Sequence, residues 1–177
     1  MTDRRRRRSA HVQATVAEAP AGPMSFEDLY RDTVDDLYAY VATLVRDRSA
    51  AEEVVAAAFE RAYRKHASFD ARRGSQRQWL FGIARNAALD ELRRRKRVAP
   101  LAAEPEAAPE DDADPIRRAT VRAALARLDA RDRELVALKY FAGLDNAEIA
   151  AVLGISASNA GTRLHRAVHR LREACDA

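Results

Sequence analysis

Cysteine is almost missing from this sequence: Cys175 stands alone near the C-terminus, so neither a disulfide framework nor a cysteine-built metal site is expected. No run of eighteen apolar residues occurs, and Arg4 to Arg8 lead into no apolar stretch. Neither a membrane span nor a secretory signal is therefore expected, and the sequence reads as a soluble, cytoplasmic protein without membrane insertion. Lysine is scarce, at Lys65, Lys96 and Lys139 only, so the positive charge is nearly all arginine, which suits bidentate contact with phosphates and guanine edges. Coding bias in a GC-rich genome accounts for much of that preference, but not for where the arginines sit. Period-two alternation is missing, which argues against strands. A glycine-rich phosphate loop, a serine or cysteine nucleophile setting and paired buried carboxylates are also lacking. No enzyme and no cofactor are expected. Of the histidines, His11 lies in the N-terminal tail and His66 at a helix end, while His165 and His169 are four apart with no assured third ligand. No metal site is expected.

What is present is apolar bulk and clustered charge. Of 177 residues 47% are hydrophobic, enough for one ordinary core or two small ones. The formal net charge is only +4, yet the basic residues bunch together, which suggests a polyanionic partner. Composition shifts divide the chain into a disordered Arg-rich tail at 1–24, a helical domain at 25–97, a flexible acidic linker at 98–114 and a second helical domain at 115–177. The linker holds three prolines with Glu104, Glu106, Glu110, Asp111, Asp112 and Asp114, and no base. The expected fold class is all-α: two small helical domains joined by that linker.

In the first domain Ser25, Ser49 and Ser75 each precede an acid or amide by three positions, which predicts helices over 26–46, 50–66 and 75–97. Phe26, Leu29, Tyr30, Val34, Leu37, Tyr38 and Val41 recur at helical spacing, as do Val54, Val55, Ala58, Phe59 and Ala62, and both stripes read as core. The loop Asp70 to Gly74 is long enough to project. The third helix ends in Arg93, Arg94, Arg95, Lys96 and Arg97. A helix dipole rewards one or two such cations, so five in a row point to a phosphate backbone. At the other end of that helix, Trp79 is open between stacking on unpaired bases and packing in the core.

The second domain opens with Asp114 as a cap and Pro115 in the first helical position. Val121, Ala124, Leu125 and Leu128 form one helical face. Asp129 caps a helix carrying Leu135, Val136, Leu138, Tyr140 and Phe141, and Gly143 ends it. Asp145 with Glu148 forms a capping pair for a short helix, Gly154 turns the chain, and Ser156 caps a longer helix. On that helix Ala160, Leu164, Val168 and Leu171 face inward, leaving Asn159, Thr162, Arg163, Arg166 and Arg170 outward. Short helix, tight hinge and basic outer face read as a helix-turn-helix whose second helix enters a DNA major groove, rather than as an ordinary helical hairpin.

Three stretches, AEEVVAAAFERAYR at 51–64, WLFGIARNAALDELRRRKR at 79–97 and LDARDRELVALKYFAGLDNAEIAAVLGISASNAGTRLHRAVHRLRE at 128–173, carry a specific likeness. In that order they resemble the bacterial RNA polymerase sigma factors of the sigma-70 family, in its compact extracytoplasmic-function (ECF) group. The resemblance implies a factor that binds core RNA polymerase and directs promoter recognition, DNA melting and initiation. The domain at 25–97 would resemble region 2, with Glu52, Glu53, Val54 and Val55 meeting the polymerase and Ser75, Gln78, Trp79, Asn86, Arg93 and Arg94 meeting the melted minus-ten element. The domain at 115–177 would resemble region 4, with Ser156, Ser158, Asn159, Thr162, Arg163, His165 and Arg166 reading the minus-thirty-five element. The acidic linker would thread toward the RNA exit path, and an anti-sigma factor would be a further partner.

Departures from the family pattern accompany the matches. Ala50, Ala56 and Ala57 stand where polar residues are usual, which predicts weaker docking on polymerase. Gly161 stands where a base is usual, and Ala160 where a β-branched residue is, which predicts a looser grip on the minus-thirty-five element. The rival readings are a stand-alone helix-turn-helix regulator binding duplex operator DNA and a basic RNA-binding adaptor. The regulator gives no role to the aromatic and basic helix at 79–97, and the adaptor predicts a preference for RNA over a forked promoter fragment.

Overall fold

A computed structural model describes residues 24–98 and 115–176; the expected Arg-rich tail, nearly all of the linker and the Asp114 cap lie outside these residues. Seven α-helices occur among the described residues: α1 (Phe26–Val45), α2 (Arg48–Lys65), α3 (Gln76–Val98), α4 (Pro115–Arg127), α5 (Ala130–Tyr140), α6 (Asn146–Leu153) and α7 (Ala157–Asp176). Two 3₁₀ turns, His66–Ser68 and Ala71–Arg73, join α2 to α3. The all-helical expectation holds.

Ser25 starts α1 by accepting from the Asp28 N–H at 3.1 Å, with Glu27 and Asp28 in the first turn, where the helix dipole favours acids. Arg46 closes α1 in the left-handed region at φ 54° and donates its N–H to Ala42. The start of α2 differs from expectation. Asp47, not Ser49, is its cap: the carboxylate accepts from the Ala50 N–H at 2.8 Å and meets Arg95 at 3.2 Å. An ionised cap beside an arginine gains twice, from the dipole and from the ion pair, so the helix begins two residues earlier and absorbs Ser49. Ser75 caps α3 as expected, accepting from the Gln78 N–H at 3.1 Å.

Helices α1–α3 form the first unit around Leu29, Leu37, Tyr40, Val41, Leu80 and Phe81, with α2 contributing Ala51, Ala58 and Ala62, all nearly inaccessible. The alanines let α2 lie close to its neighbours, while each buried Leu or Phe contributes about 1.5–3 kcal/mol. The second unit runs α4–α7, with Leu128, Val136 and Ala167 as a small core of its own. Tyr30, expected in the core stripe of α1, is exposed, as is Val121 of the α4 face, and Ala167 fills the place between Leu164 and Leu171.

The two units are not separate beads. α5 packs on α1 and α6 on α3. Leu135, Leu138, Ala142, Leu144, Ile149 and Ala150 belong to the same continuous apolar cluster as Leu37, Tyr40, Leu80 and Phe81. Hydrophobic spacing identifies an apolar face but not what covers it, and the α5 and α6 faces are covered partly by the other unit.

Candidate nucleic-acid interface

The α6–α7 pair is built as a helix-turn-helix. Asp145 accepts from the Glu148 N–H at 2.8 Å while Glu148 accepts from the Asp145 N–H at 3.0 Å, a reciprocal box that satisfies two otherwise unpaired donors. Gly154 ends α6 at φ 68°, a left-handed position where a side chain would be strained. Ser156 then caps α7, accepting from the Asn159 N–H at 3.2 Å. Ala160 and Ala167 turn inward, and Ser158, Asn159, Thr162, His165 and Arg166 are exposed. Of this set Arg166 has no ion pair among the described residues.

Arg163 departs from the expected outward position. It is half-buried and lies 3.6 Å from Asp132, a carboxylate only 6% exposed. Arg170 bonds the same carboxylate. A buried acid on α5 draws both arginines onto the flank of α7, because an unpaired buried carboxylate is costly. Gly161 also lies on a flank: a Cβ there would meet the Asn146 amide nitrogen at 3.2 Å. Gly161 therefore lies on the edge of α7 against α6, not at the centre of its exposed face.

On the first unit, Asn86 is exposed and Gln78 half-buried at the start of α3. Trp79 packs against the core, with its ring 5.5 Å from that of Phe69. The basic end of α3 is partly neutralised from within. Arg93 pairs with Asp90 at 2.8 Å, Arg94 with Glu91 at 2.8 Å, and Arg95 with both Glu91 and Asp47. Hydrogen bonds from Arg94 hold the Glu91 carboxyl below the usual carboxylate range. Lys96 and Arg97 are exposed and carry no ion pair among the described residues.

Glu52 and Glu53 stand exposed on the outer side of α2, and Glu52 pairs with Arg48 at 3.1 Å. Val54 and Val55, at 6% and 8% exposure, are core residues. The adjacent Val-Val pair turns inward on both sides of the α2 stripe, so of the four residues only the glutamates offer side chains to a partner in this arrangement.

A set of polar contacts that sequence reasoning did not foresee joins the two units. Glu134, 8% exposed, accepts from Arg85 at 2.7 Å and from the Tyr40 hydroxyl at 3.3 Å. Burial, reinforced by the Glu134 charge, pushes the Tyr40 hydroxyl pKa well above its ordinary value. Arg77 lies over the Phe81 ring, 5.3 Å from its centroid, and donates to the Phe141 carbonyl at 3.2 Å, to the Ala142 carbonyl and to Asp36. The Ser75 hydroxyl donates to Glu148 at 2.5 Å. The one available signal was Glu134 itself, an acid immediately before the apolar run Leu135 to Leu138 and at the spacing that puts it beside Leu138.

Comparison with known proteins agrees with this geometry. Residues 29–98 match the family described as sigma-70 region 2, and residues 118–171 match sigma-70, region 4. The chain is 35% identical over 155 residues to the RNA polymerase sigma factor CarQ of Myxococcus xanthus, covering 84% of this chain and 88% of that protein. It is 33% identical over 150 residues to the ECF RNA polymerase sigma factor SigL of Mycobacterium tuberculosis, covering 81% of this chain and 85% of that one. Among solved structures it is similar to the sigma factor RpoE of Bartonella quintana in complex with the anti-sigma factor NepR, at a TM-score of 0.76 and 25% identity, covering 85% of this chain and 96% of that one. It is also similar to CnrH in complex with the cytosolic domain of CnrY, at a TM-score of 0.64 and 26% identity, over 85% of this chain and 87% of that one. The two helical units in this order, a region 2 bundle followed by a region 4 helix-turn-helix, make the chain a member of the sigma-70 family in its extracytoplasmic-function group: a sigma factor, not an enzyme, that directs promoter-specific initiation by RNA polymerase.

Proposed function

We propose a division of labour among the helices. The exposed face of α7, with Ser158, Asn159, Thr162, His165 and Arg166, reads the minus-thirty-five duplex in the major groove. Ser156 shapes the start of that helix, and Arg163 supports it through Asp132. The start of α3 and its exposed Asn86 meet the melted minus-ten strand, while the cationic end of α3 holds the phosphates. Trp79 supports that surface from within. Glu52 and Glu53 on α2 dock on core polymerase, with Val54 and Val55 holding the docking helix to its bundle. The factor works in the cytoplasm, and no described helix is long and apolar enough to cross a membrane. An anti-sigma factor is a further partner in this reading, since the RpoE structure it resembles is a complex with one.

The observation that carries the reading is the pairing of a capped helix-turn-helix, its polar face exposed, with a second unit bearing its own cationic helix end. A stand-alone operator-binding regulator needs only the first of these. Run-off transcription with purified core polymerase tests the proposal: addition of the chain should confer initiation at a defined promoter set, with tight DNA binding only in the presence of core. Specific, tight binding of duplex promoter by the chain alone, with no initiation, would establish the regulator instead.

A further inference from the structure

The chain holds two five-residue runs of positive charge, Arg4 to Arg8 and Arg93 to Arg97. The second is partly spent, since Arg93, Arg94 and Arg95 pair with Asp90, Glu91 and Asp47. The first has Asp3 before it and no further acid until Glu18. Cations at that density call for a polyanion, and the structure fixes the point on the first unit from which they are delivered.

Met24 is clamped to α3. Its N–H donates to Gln76 Oε1 at 2.6 Å and its carbonyl accepts from Gln76 Nε2 at 3.0 Å, so a single side-chain amide holds both backbone polar groups of that residue. The His66 ring nitrogen Nε2 lies 3.2 Å from the same amide nitrogen. Two residues on, the Phe26 ring meets those of Tyr63 and His66 edge to face, with centroids 5.1 and 5.8 Å away. Residues 1–23 therefore join the first unit at the start of α3, close to Ser75 and the exposed Arg73. The acidic segment 99–114 leaves from Val98, at the opposite end of the same helix. Across 23 residues at about 1.5 Å each, the two exits are roughly 33 Å apart. Position thus favours promoter phosphates over those acids as the partner of the first run.

We propose that Arg4 to Arg8 make a third promoter contact, a sequence-independent grip on the phosphates of the duplex flanking the minus-ten element, delivered there by the Met24–Gln76 clamp. From Arg8 to Met24 the covalent reach is at most about 55 Å, or about 16 base pairs at roughly 3.4 Å each. Duplex DNA presents one phosphate charge per ~1.7 Å of its axis, so adjacent guanidinium groups find partners without reading a base. Each is planar and can bond two phosphate oxygens at once. Every phosphate neutralised releases counterions, so the grip is strong at low salt and fades as salt rises. The inference rests on the assignment of the α3 start to the minus-ten element.

The test uses holoenzyme assembled from core polymerase and the full-length chain. Wild type is compared with a variant carrying Arg4→Gln through Arg8→Gln and with one carrying Arg4→Lys through Arg8→Lys. Affinity for a labelled promoter fragment is followed by anisotropy from about 50 to about 200 mM salt. With five contacts worth about 0.9 each, the slope of log affinity against log salt should flatten by about 4.5 in the glutamine variant. In the lysine variant, which keeps the charge, it should stay within about one of wild type. The hydroxyl-radical footprint of the glutamine variant should shrink within about 16 base pairs of the minus-ten element and stay unchanged across the minus-thirty-five element. Run-off transcription at low salt should give the same promoter set with all three chains, because the grip reads no base. Flattening by less than about two, fewer than half of the five contacts, overturns the grip, as does a footprint lost at the minus-thirty-five element instead. Equal flattening in the lysine variant overturns it in favour of a contact that needs guanidinium. Tighter DNA binding by the glutamine variant assigns the run to the acidic 99–114 segment, and weaker assembly with core assigns it to polymerase; either result overturns the proposal. Were wild-type holoenzyme to initiate at no template, the promoter reading would fall and the grip with it, whereas initiation by all three with equal slopes removes the grip alone.

Discussion

At the scale of single residues, the proposed reading of α7 gives two of its arginines different tasks, recognition to Arg166 and support to Arg163. Arg166 projects from the exposed face, while Arg163 is spent on the buried Asp132. Arg166→Ala should lower initiation at promoters carrying one particular base by about 1–3 kcal/mol and leave the melting temperature nearly unchanged. A uniform loss across promoter variants would reject the base contact. Arg163→Ala should instead cost about 1 kcal/mol of stability, read by thermal melting, because Asp132 keeps only Arg170. Asp47 adds a pH dependence. The Ala50 N–H and Arg95 hold its carboxyl below the usual carboxylate range, so it favours the folded state while ionised. A depressed folded pKa gives stability that is fully present above the unfolded value of about 3.9 and is lost as the pH falls through the folded one. Asp47→Asn keeps a capping side chain but cannot titrate. Its melting temperature should therefore fall less than that of wild type between pH 5 and about pH 2, and equal acid sensitivity in the two would remove Asp47 from the account. That Asn159, Thr162 and Arg166 face outward on α7 was legible in sequence from periodicity alone. The inward pull on Arg163 was not, because it depends on an acid 31 positions away on another helix.

Elements were more legible than their partners. Most caps follow local rules: Ser25, Ser75, Asp129, the Asp145–Glu148 box, Gly154 and Ser156 each sit where a side chain or a left-handed glycine satisfies a helix end. The start of α2 shifted to Asp47 because Arg95, on α3, supports the charge of that cap, and a local pattern contains no such information. The same arginine shows how the cationic end of α3 is divided. Arg93, Arg94 and Arg95 face acids on their own helix or on Asp47, so Lys96 and Arg97, with no ion pair among the described residues, are the cations best placed for the proposed phosphate contact. Replacing Lys96 and Arg97 together by glutamine should therefore weaken binding to a forked promoter fragment and flatten its dependence on log salt by about 0.7 per lost contact. Arg95→Gln should change that slope less and lower the melting temperature more, since it strips a partner from both Asp47 and Glu91. A steeper change in slope for Arg95→Gln would reverse the assignment.

The arrangement of the whole molecule was the least legible part. Composition shifts divided the chain into two helical units, yet they left those units independent, because an apolar stripe such as Leu135, Leu138 and Ile149 looks the same whether its own unit or a neighbour covers it. In the structure that stripe shares one core with Leu37, Tyr40, Leu80 and Phe81. Cohesion should follow the core and not the domain boundary. Leu138→Ala removes a fully buried side chain from the second unit and, by the cost of cavities left by such truncations, should destabilise by about 2–5 kcal/mol. If the two units hold each other closed, part of that loss must appear in the first unit as well. Hydrogen exchange followed by mass spectrometry should then show reduced protection in α1 and α3 alongside α5 and α6, with α2, on the far side of the first bundle, changing least. Reduced protection confined to α4–α7 would mean that the units fold and fluctuate independently and that their contact adds little to either.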